Sequence, residues 1–290
     1  MKSNKITIVM IVLFFVGLSL LLYPIISNYY NQKVGARTIV DYEAMLNNRD
    51  DSEYEKMFDD ALSYNKKIMK LDNPFVFHNT IKGYNKLLNF DNTGMIGYIK
   101  INKIKTELPI YHGTSKEVLT KGVGHLEGSS LPIGGTGTHS VLSAHRGLPS
   151  STLFSNLDKL EIGDTFTIKV LNRELTYQVD NIQIVKPRDL SLLKIEKKRD
   201  YVTLMTCTPY GINTHRLLVR GVRVENIEKT FITTEAFRIN KNTITLILLI
   251  PVILILLIVV MFKPIGVNKD KIKNKYIYPD PYKCKGKGDN

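Results

Sequence analysis

Three kinds of side chain in this 290-residue sequence could together move an acyl group: a thiol, an imidazole and a guanidinium. Cys207 closes the run YVTLMTC (201–207), directly before Thr208-Pro209, where the chain must turn. A thiolate there would be a nucleophile held on the end of a strand, with a cleft in front of it. His145 closes another apolar run, SVLSAH (140–145), and is followed by Arg-Gly-Leu-Pro. An imidazole beside a thiol can take its proton and later return one to a leaving amine. Arg216 opens RLLVR (216–220), and a cation there could hold the oxygen on which negative charge develops.

Residue type alone leaves rivals for each role. A free Cys also packs as a small apolar side chain, inert in a core. His78, His112, His125, His139 and His215 are further imidazoles, of which His125 and His139 are the nearest alternatives to His145. At period two, Arg216, Leu218 and Arg220 share one face, so Arg220, and Arg223 beyond it, compete with Arg216; a surface ion pair is the ordinary fate of all three. Metal chemistry has no foothold, since Cys-x-x-Cys, His-x-x-x-His and an acidic calcium loop are all missing. The Gly-rich stretch LPIGGTG (131–137) lacks the Gly-Lys-Ser/Thr ending of a phosphate loop and reads as a turn before a strand. No metal and no cofactor is therefore expected.

The elements that must position these residues are mostly short strands. MIGYIKI (95–101), LPIYHG (108–113), SVLSAH (140–145), TFTIKV (165–170), LTYQVDNIQIV (175–185), YVTLMTC (201–207) and LLVRGVRVE (217–225) are separated by turn signals and argue for a barrel or sandwich. Ser151 to Leu160 reads as one helix among them, entered through Pro149-Ser150 and closed before Gly163. Upstream, 37–71 has neither Gly nor Pro and near-helical apolar spacing, giving two short helices or one interrupted helix. Asp72-Asn73-Pro74-Phe75-Val76-Phe77 breaks that pattern and reads as a loop with two aromatic side chains.

Ile6 to Ile26 carries no charge and is long enough to span a bilayer, which takes about 20 apolar residues. No small-residue cleavage site follows closely, so a retained anchor is expected in place of a signal peptide. Asn242 to Phe262, between Lys241 and Lys263, reads as a second span. The tail 263–290 carries eight Lys against three Asp. Basic flanks favour the cytoplasmic side, which puts both termini inside and about 27–241 outside. The basic tail is then read as a topology determinant in contact with membrane lipid, and no nucleic-acid partner is expected. Cys207 and Cys284 fall on opposite sides of the membrane and cannot pair within one chain.

TLMTC (203–207), the Arg nine residues after that cysteine in NTHRLLVRG (213–221), and SAHRG (143–147) together resemble the sortases. The longer stretches LPIGGTGTHSVLSAHRGLP (131–149) and TCTPYGINTHRLLVRG (206–221) look like the pilus-building class C members. The resemblance implies a mainly β fold: an eight-stranded barrel with short helices, a helical N-terminal extension and two flanking transmembrane helices. It divides the chain into a cytoplasmic start (1–5), an anchor (6–26), a helical extension (27–93), a catalytic barrel (94–230), a juxtamembrane stretch (231–241), a second span (242–262) and a cytoplasmic tail (263–290).

The chemistry implied is attack by the cysteine on the Thr–Gly bond of an LPxTG-like sorting signal, followed by resolution of the acyl-enzyme by an amine. The partners implied are pilins or other surface proteins, with a pilin lysine as acceptor; in wall anchoring of single proteins the acceptor is a cell-wall precursor. A cysteine endopeptidase using water, or a membrane-tethered scaffold using neither residue, are the other readings. By position the nucleophile is Cys207, the acid/base His145 and the substrate or oxyanion cation Arg216, with Thr206 lining the groove. The lid of the family corresponds to Asp72, Asn73, Pro74 and Phe75, with the Asp one place early. Phe75 is expected over Cys207, and Asp72 or Asn73 near Arg216.

Overall fold

The computed structural model describes residues 2–47, 51–89 and 92–226; the expected second span, the basic tail and Cys284 lie outside these residues. Eight strands close into a barrel in the order β1-β2-β3-β4-β7-β8-β6-β5. They are β1 Met95–Ile101, β2 Thr106–His112, β3 Val123–His125, β4 Thr138–Ser143, β5 Thr165–Val170, β6 Arg173–Val185, β7 Asp200–Thr208 and β8 His215–Val224. Two neighbouring pairs, β2/β3 and β4/β7, are parallel, and the rest are antiparallel. An eight-stranded barrel is narrow enough for side chains to fill it. Here Ile99, Ile110, Leu142, Phe166, Ile168, Leu204 and Val219 do so, each at most 1% exposed.

The expected strands were those whose apolar residues alternate, and all seven are present with ends shifted by a residue or two. The eighth, β3, is three residues long and is recruited by β2 and β4 on either side. A six-residue helix, α4 (Lys116–Lys121), precedes it, capped by the Ser115 hydroxyl accepting from the Val118 N–H at 3.3 Å.

Helix α1 runs without interruption from Lys2 to Leu46 and α2 from Asp51 to Ile68. Among the described residues, α1 is the helix that is long and apolar enough to cross a membrane, and none of its most apolar stretch is buried. α2 has Asp51 and Glu53 in its first turn and Lys66 and Lys67 in its last, which suits the helix dipole. Tyr54, Phe58, Ala61, Asn65 and Ile68 form its buried stripe. From that stripe Asn65 donates to the Leu131 carbonyl at 3.1 Å and accepts from the Leu131 N–H at 2.7 Å. This pins the start of the Gly-rich turn, whose Gly135 N–H donates to Asp200 at 2.7 Å.

Two expectations about local structure are corrected. Ser151–Leu160 is not an α-helix; it folds as turns with one 3-10 segment at Leu157–Lys159. Leu153, Phe154, Leu157 and Leu160 are all buried, so the apolar spacing was real. What defeats the helix is the use of its amides elsewhere: Phe154 N–H donates to the His145 carbonyl at 3.2 Å and Thr152 N–H to Asn28 Oδ1 at 2.8 Å. Residues 72–77 likewise are not all loop, since Pro74–Phe77 form one helical turn, α3, with Pro at its start.

Candidate active site

Strand parity separates two environments in β4, β7 and β8. Leu142, Val202, Leu204, Leu217 and Val219 belong to the barrel core, whereas Val141 and Leu218 form a second apolar cluster on the outer face with Leu193. Phe75, Leu126, Val185, Leu190 and Met205 pack onto this outer cluster. Cys207 follows Met205 by two residues and Arg216 precedes Leu218 by two, so both continue the outer face. They are direct cross-strand partners in the antiparallel β7/β8 ladder. On the other side of β7, the parallel register pairs Ser143 with Met205. His145 lies two residues past that pair, and the same register carried on would set it opposite Cys207.

The end of β4 stays in register past its last strand residue because of two bonds. Ala144 N–H donates to the Met205 carbonyl at 3.2 Å, and the Thr206 hydroxyl donates to the Ala144 carbonyl at 2.8 Å. Thr206, expected to line the groove, is 1% exposed and points to the opposite face from Cys207; its hydroxyl ties β7 to the residue before His145. Arg146 adds a second tie, donating to the Thr208 hydroxyl at 3.2 Å and to Asp158 at 2.7 Å.

The rival residues are engaged elsewhere. His125 is fully buried, with Nδ1 2.7 Å from the Tyr84 hydroxyl and Nε2 2.8 Å from the Ser130 carbonyl; burial pushes its pKa down to about 4. His139 sits between the Lys194 carbonyl (2.9 Å) and the Thr203 hydroxyl (2.7 Å), and pairs in the β4/β7 ladder with Tyr201, well back from Cys207. Arg220 grips Asp180 through two nitrogens, at 3.0 and 2.9 Å, and lies over the Tyr201 ring at 4.2 Å. Arg223 donates to the Thr176 carbonyl at 3.0 Å. Arg216 bonds only to backbone carbonyls, those of His215 at 3.1 Å and Asn213 at 3.3 Å, and makes no ion pair among the described residues. A half-buried cation without a carboxylate is free to meet an anionic oxygen from elsewhere.

His145 is half-buried, and burial holds its imidazole below the ordinary 6.5. Cys207 is a free, partly exposed thiol. Among the described residues no group of three His, Cys, Asp or Glu side chains is arranged to hold a metal ion.

The segment expected to form a lid packs on the same face. Phe75 sits in the outer cluster with Met205, the neighbour of Cys207 along the face. Its backbone lies on Gly128, where an added Cβ would come within 2.7 Å of the Pro74 carbonyl oxygen and 2.8 Å of Phe75 Cα. Gly128 also has a φ of +88°, so glycine is needed there on both counts. Asp72 is exposed and makes no ion pair with Arg216, and Asn73 uses its carbonyl to cap the helical turn, accepting from Val76 and Phe77 N–H at 3.1 and 3.0 Å. The expected reach of either side chain to Arg216 is not made.

A closed eight-stranded mixed barrel, with a cysteine and an arginine paired across its two adjacent edge-of-rim strands, defines a narrow class of proteins. The family model described as "Sortase domain" matches residues 99–224, and the chain belongs to the sortase family. Sortase C1 from Streptococcus agalactiae is 52% identical in sequence, matches with a TM-score of 0.60, and covers 66% of this chain and 100% of its own. Sortase C from Clostridium perfringens SM101 is 44% identical with a TM-score of 0.56, over 66% of this chain and 99% of its own. Among curated proteins, Sortase D of Bacillus subtilis is 34% identical over 131 residues, 44% of this chain and 63% of its own length. The chain thus spans less than two thirds of the curated relatives it matches.

What sequence reading missed is the second apolar cluster, on the face that Cys207 and Arg216 continue. Its signal was available: LLV (217–219) and VTLM (202–205) are apolar at both parities or nearly so, which implies burial on both faces of the sheet.

Proposed function

We propose that this chain is a membrane-anchored cysteine transpeptidase in which Cys207 is the nucleophile, His145 the acid/base and Arg216 the oxyanion cation. The observation that carries the reading is the convergence of a free thiol, a neutral imidazole and a carboxylate-free guanidinium on one face of three adjacent strands. The lowered pKa leaves the imidazole mostly neutral at pH 7, able to accept the thiol proton. The thiolate attacks the Thr carbonyl carbon of an LPxTG-like signal, and the oxyanion formed is held by Arg216. Collapse breaks the Thr–Gly bond, and the imidazolium gives its proton to the departing Gly amine. A thioester remains on Cys207. An incoming amine then attacks it, loses a proton to His145, and leaves with the new amide while the thiol is restored.

The likeness to several sortases C, at 39–52% identity, favours a pilin lysine as that amine over a cell-wall precursor. We further assign Pro74–Phe77 as a lid whose Phe75 closes the groove. Ile6–Ile26 is the anchor; Asn242–Phe262, a second span, would return the basic tail to the cytoplasm and leave 94–230 outside as the catalytic domain. The deciding experiment incubates the full chain with an LPxTG-like peptide, with and without a lysine-bearing acceptor, and follows the Cys207 thioester and the amide product by mass spectrometry. Both are expected from the natural chain and neither from Cys207→Ala. Ordinary ligation by Cys207→Ala would sink the assignment.

A further inference from the structure

α1 hydrogen-bonds to the barrel and its loops at two levels. At the far one, Tyr42 donates to the Ile96 carbonyl at 3.0 Å and accepts from the Leu171 N–H at 2.9 Å, while Glu43 accepts from Lys169 at 3.0 Å. The near level is only two residues past the apolar run. There Asn28 Oδ1 accepts both the backbone N–H of Thr152, at 2.8 Å, and its hydroxyl, at 2.9 Å. One turn on, Asn31 donates to the Ser150 carbonyl at 2.8 Å. Residues 24, 28, 31, 35, 38 and 42 form a half-buried to buried stripe at helical spacing, so both asparagines belong to the face that α1 turns to the barrel.

The loop so held is the one that begins at His145. It closes on itself through Phe154 N–H to the His145 carbonyl at 3.2 Å, Gly147 N–H to Ser155 Oγ at 3.0 Å, and a bridge between Leu148 and Ser151. Its His145 side is fastened to β7 by Arg146 and Thr206, as described above. Its Thr152 side is fastened to α1, and Thr152 directs both of its donors at one asparagine oxygen. Together these bonds leave the loop that begins at His145 little freedom to tilt. An asparagine inside a helix is a weak helix former, so its presence here is accounted for by what its amide does outside the helix.

We propose that Asn28 and Asn31 are positioning residues for His145, and that the anchor helix is part of the catalytic apparatus as well as a tether. The proposal rests on the transpeptidase reading of Cys207 and His145. It requires that loosening the Thr152 end of the loop slows the chemical step and leaves substrate binding alone, because the outer apolar cluster is built from residues outside the 145–155 loop.

The test uses the full chain in lipid nanodiscs, comparing Asn28→Ala with Asn28→Asp, which keeps the acceptor oxygens. Amide exchange at Thr152 is followed together with ligation of an LPxTG-like peptide. Asn28→Ala is expected to speed Thr152 exchange and to lower kcat about tenfold at unchanged KM, within the roughly 10²-fold that a displacement of about 1 Å can cost. Asn28→Asp is expected to restore both. Wild-type kcat in Asn28→Ala, a raised KM at unchanged kcat, or an Asp variant no better than the Ala variant would each overturn the proposal. If the natural chain ligates nothing, it is the transpeptidase reading that fails; the clamp is then decided by exchange alone, and unchanged exchange at Thr152 in Asn28→Ala overturns it.

Discussion

Removing the ring of Phe75 tests the lid most directly. Phe75 is half-buried and packs against the cluster of Val141, Leu193 and Leu218, on the face that Cys207 continues. If about 80 Å² of a roughly 200 Å² side chain is withdrawn from water, at about 25 cal/mol per Å², the contact is worth about 2 kcal/mol. That energy biases the lid toward its seat, and losing it multiplies the open population by up to about 30. Alkylation of Cys207 by a bulky reagent that enters only when the segment lifts should therefore accelerate by up to about 30-fold in Phe75→Ala. Gly128→Val should act in the same direction from beneath, since its Cβ would meet the Pro74 carbonyl oxygen at 2.7 Å. A small reagent should be less affected, because Cys207 is already partly exposed. Labelling by the bulky reagent at the wild-type rate in both variants would refute the lid. Acceleration in Phe75→Ala alone would keep the lid and remove Gly128 as its seat.

Arg216 and Arg220 should separate cleanly. Arg216→Ala is expected to slow acylation by roughly 10² to 10³, as loss of an oxyanion donor does, with Arg216→Lys intermediate because it keeps the charge and loses the planar fork. Arg220→Ala should leave acylation near normal and lower stability, since it strands Asp180; equal slowing in both variants would contradict the assignment. Acid stability should track the buried histidines. His125 titrates at about 4 when folded against an ordinary 6.5, so below 6.5 the unfolded chain binds the extra proton and stability falls with falling pH. The window runs from 6.5 down to about 4 and corresponds to about 3 kcal/mol at 1.36 kcal/mol per unit. Burial lowers His112 and His139 as well, with the same sign. Urea titrations over that range should show a shallower pH slope in His125→Gln; an unchanged slope would mean that His125 is not the dominant group.

How much of this could be read from the chain alone depended on the range of the interaction involved. Alternation along a strand is local, and β1 and β5 were delimited to the residue by it. Parity also carries information that was not used: Thr206 stands next to Cys207, so a strand must send it to the other face. β3 is too short to have a period, and its existence depends on β2 and β4 flanking it. The Ser151–Leu160 stretch had helical spacing, but its amides found acceptors in Asn28 and His145, more than a hundred residues and a few residues away. The same limit applies to the arginines. That Arg220 is satisfied by Asp180 is a fact of the β6/β8 register, where Asn181 lies opposite Arg220, and only motif resemblance singled out Arg216 beforehand.

The convergence of the three site residues follows from topology more than from any single contact. β7 is the middle strand of the three, parallel to β4 and antiparallel to β8. A parallel neighbour ends at the same rim as β7, and an antiparallel neighbour begins there. His145 just beyond the end of β4, Cys207 near the end of β7 and Arg216 near the start of β8 are therefore brought to one rim. Had β4 run the other way, its six residues would carry His145 to the far end of the strand, about 20 Å off at 3.3 Å per residue. The parallel pair needs a long crossover between β4 and β7, and that crossover contains the His145 loop at its start, β5 and β6, and Leu190 and Leu193 of the outer cluster near its end. The strand order that brings the ends of β4 and β7 to one rim thus also supplies, within the same crossover, the loop gripped by α1 and part of the apolar cluster against which Phe75 packs.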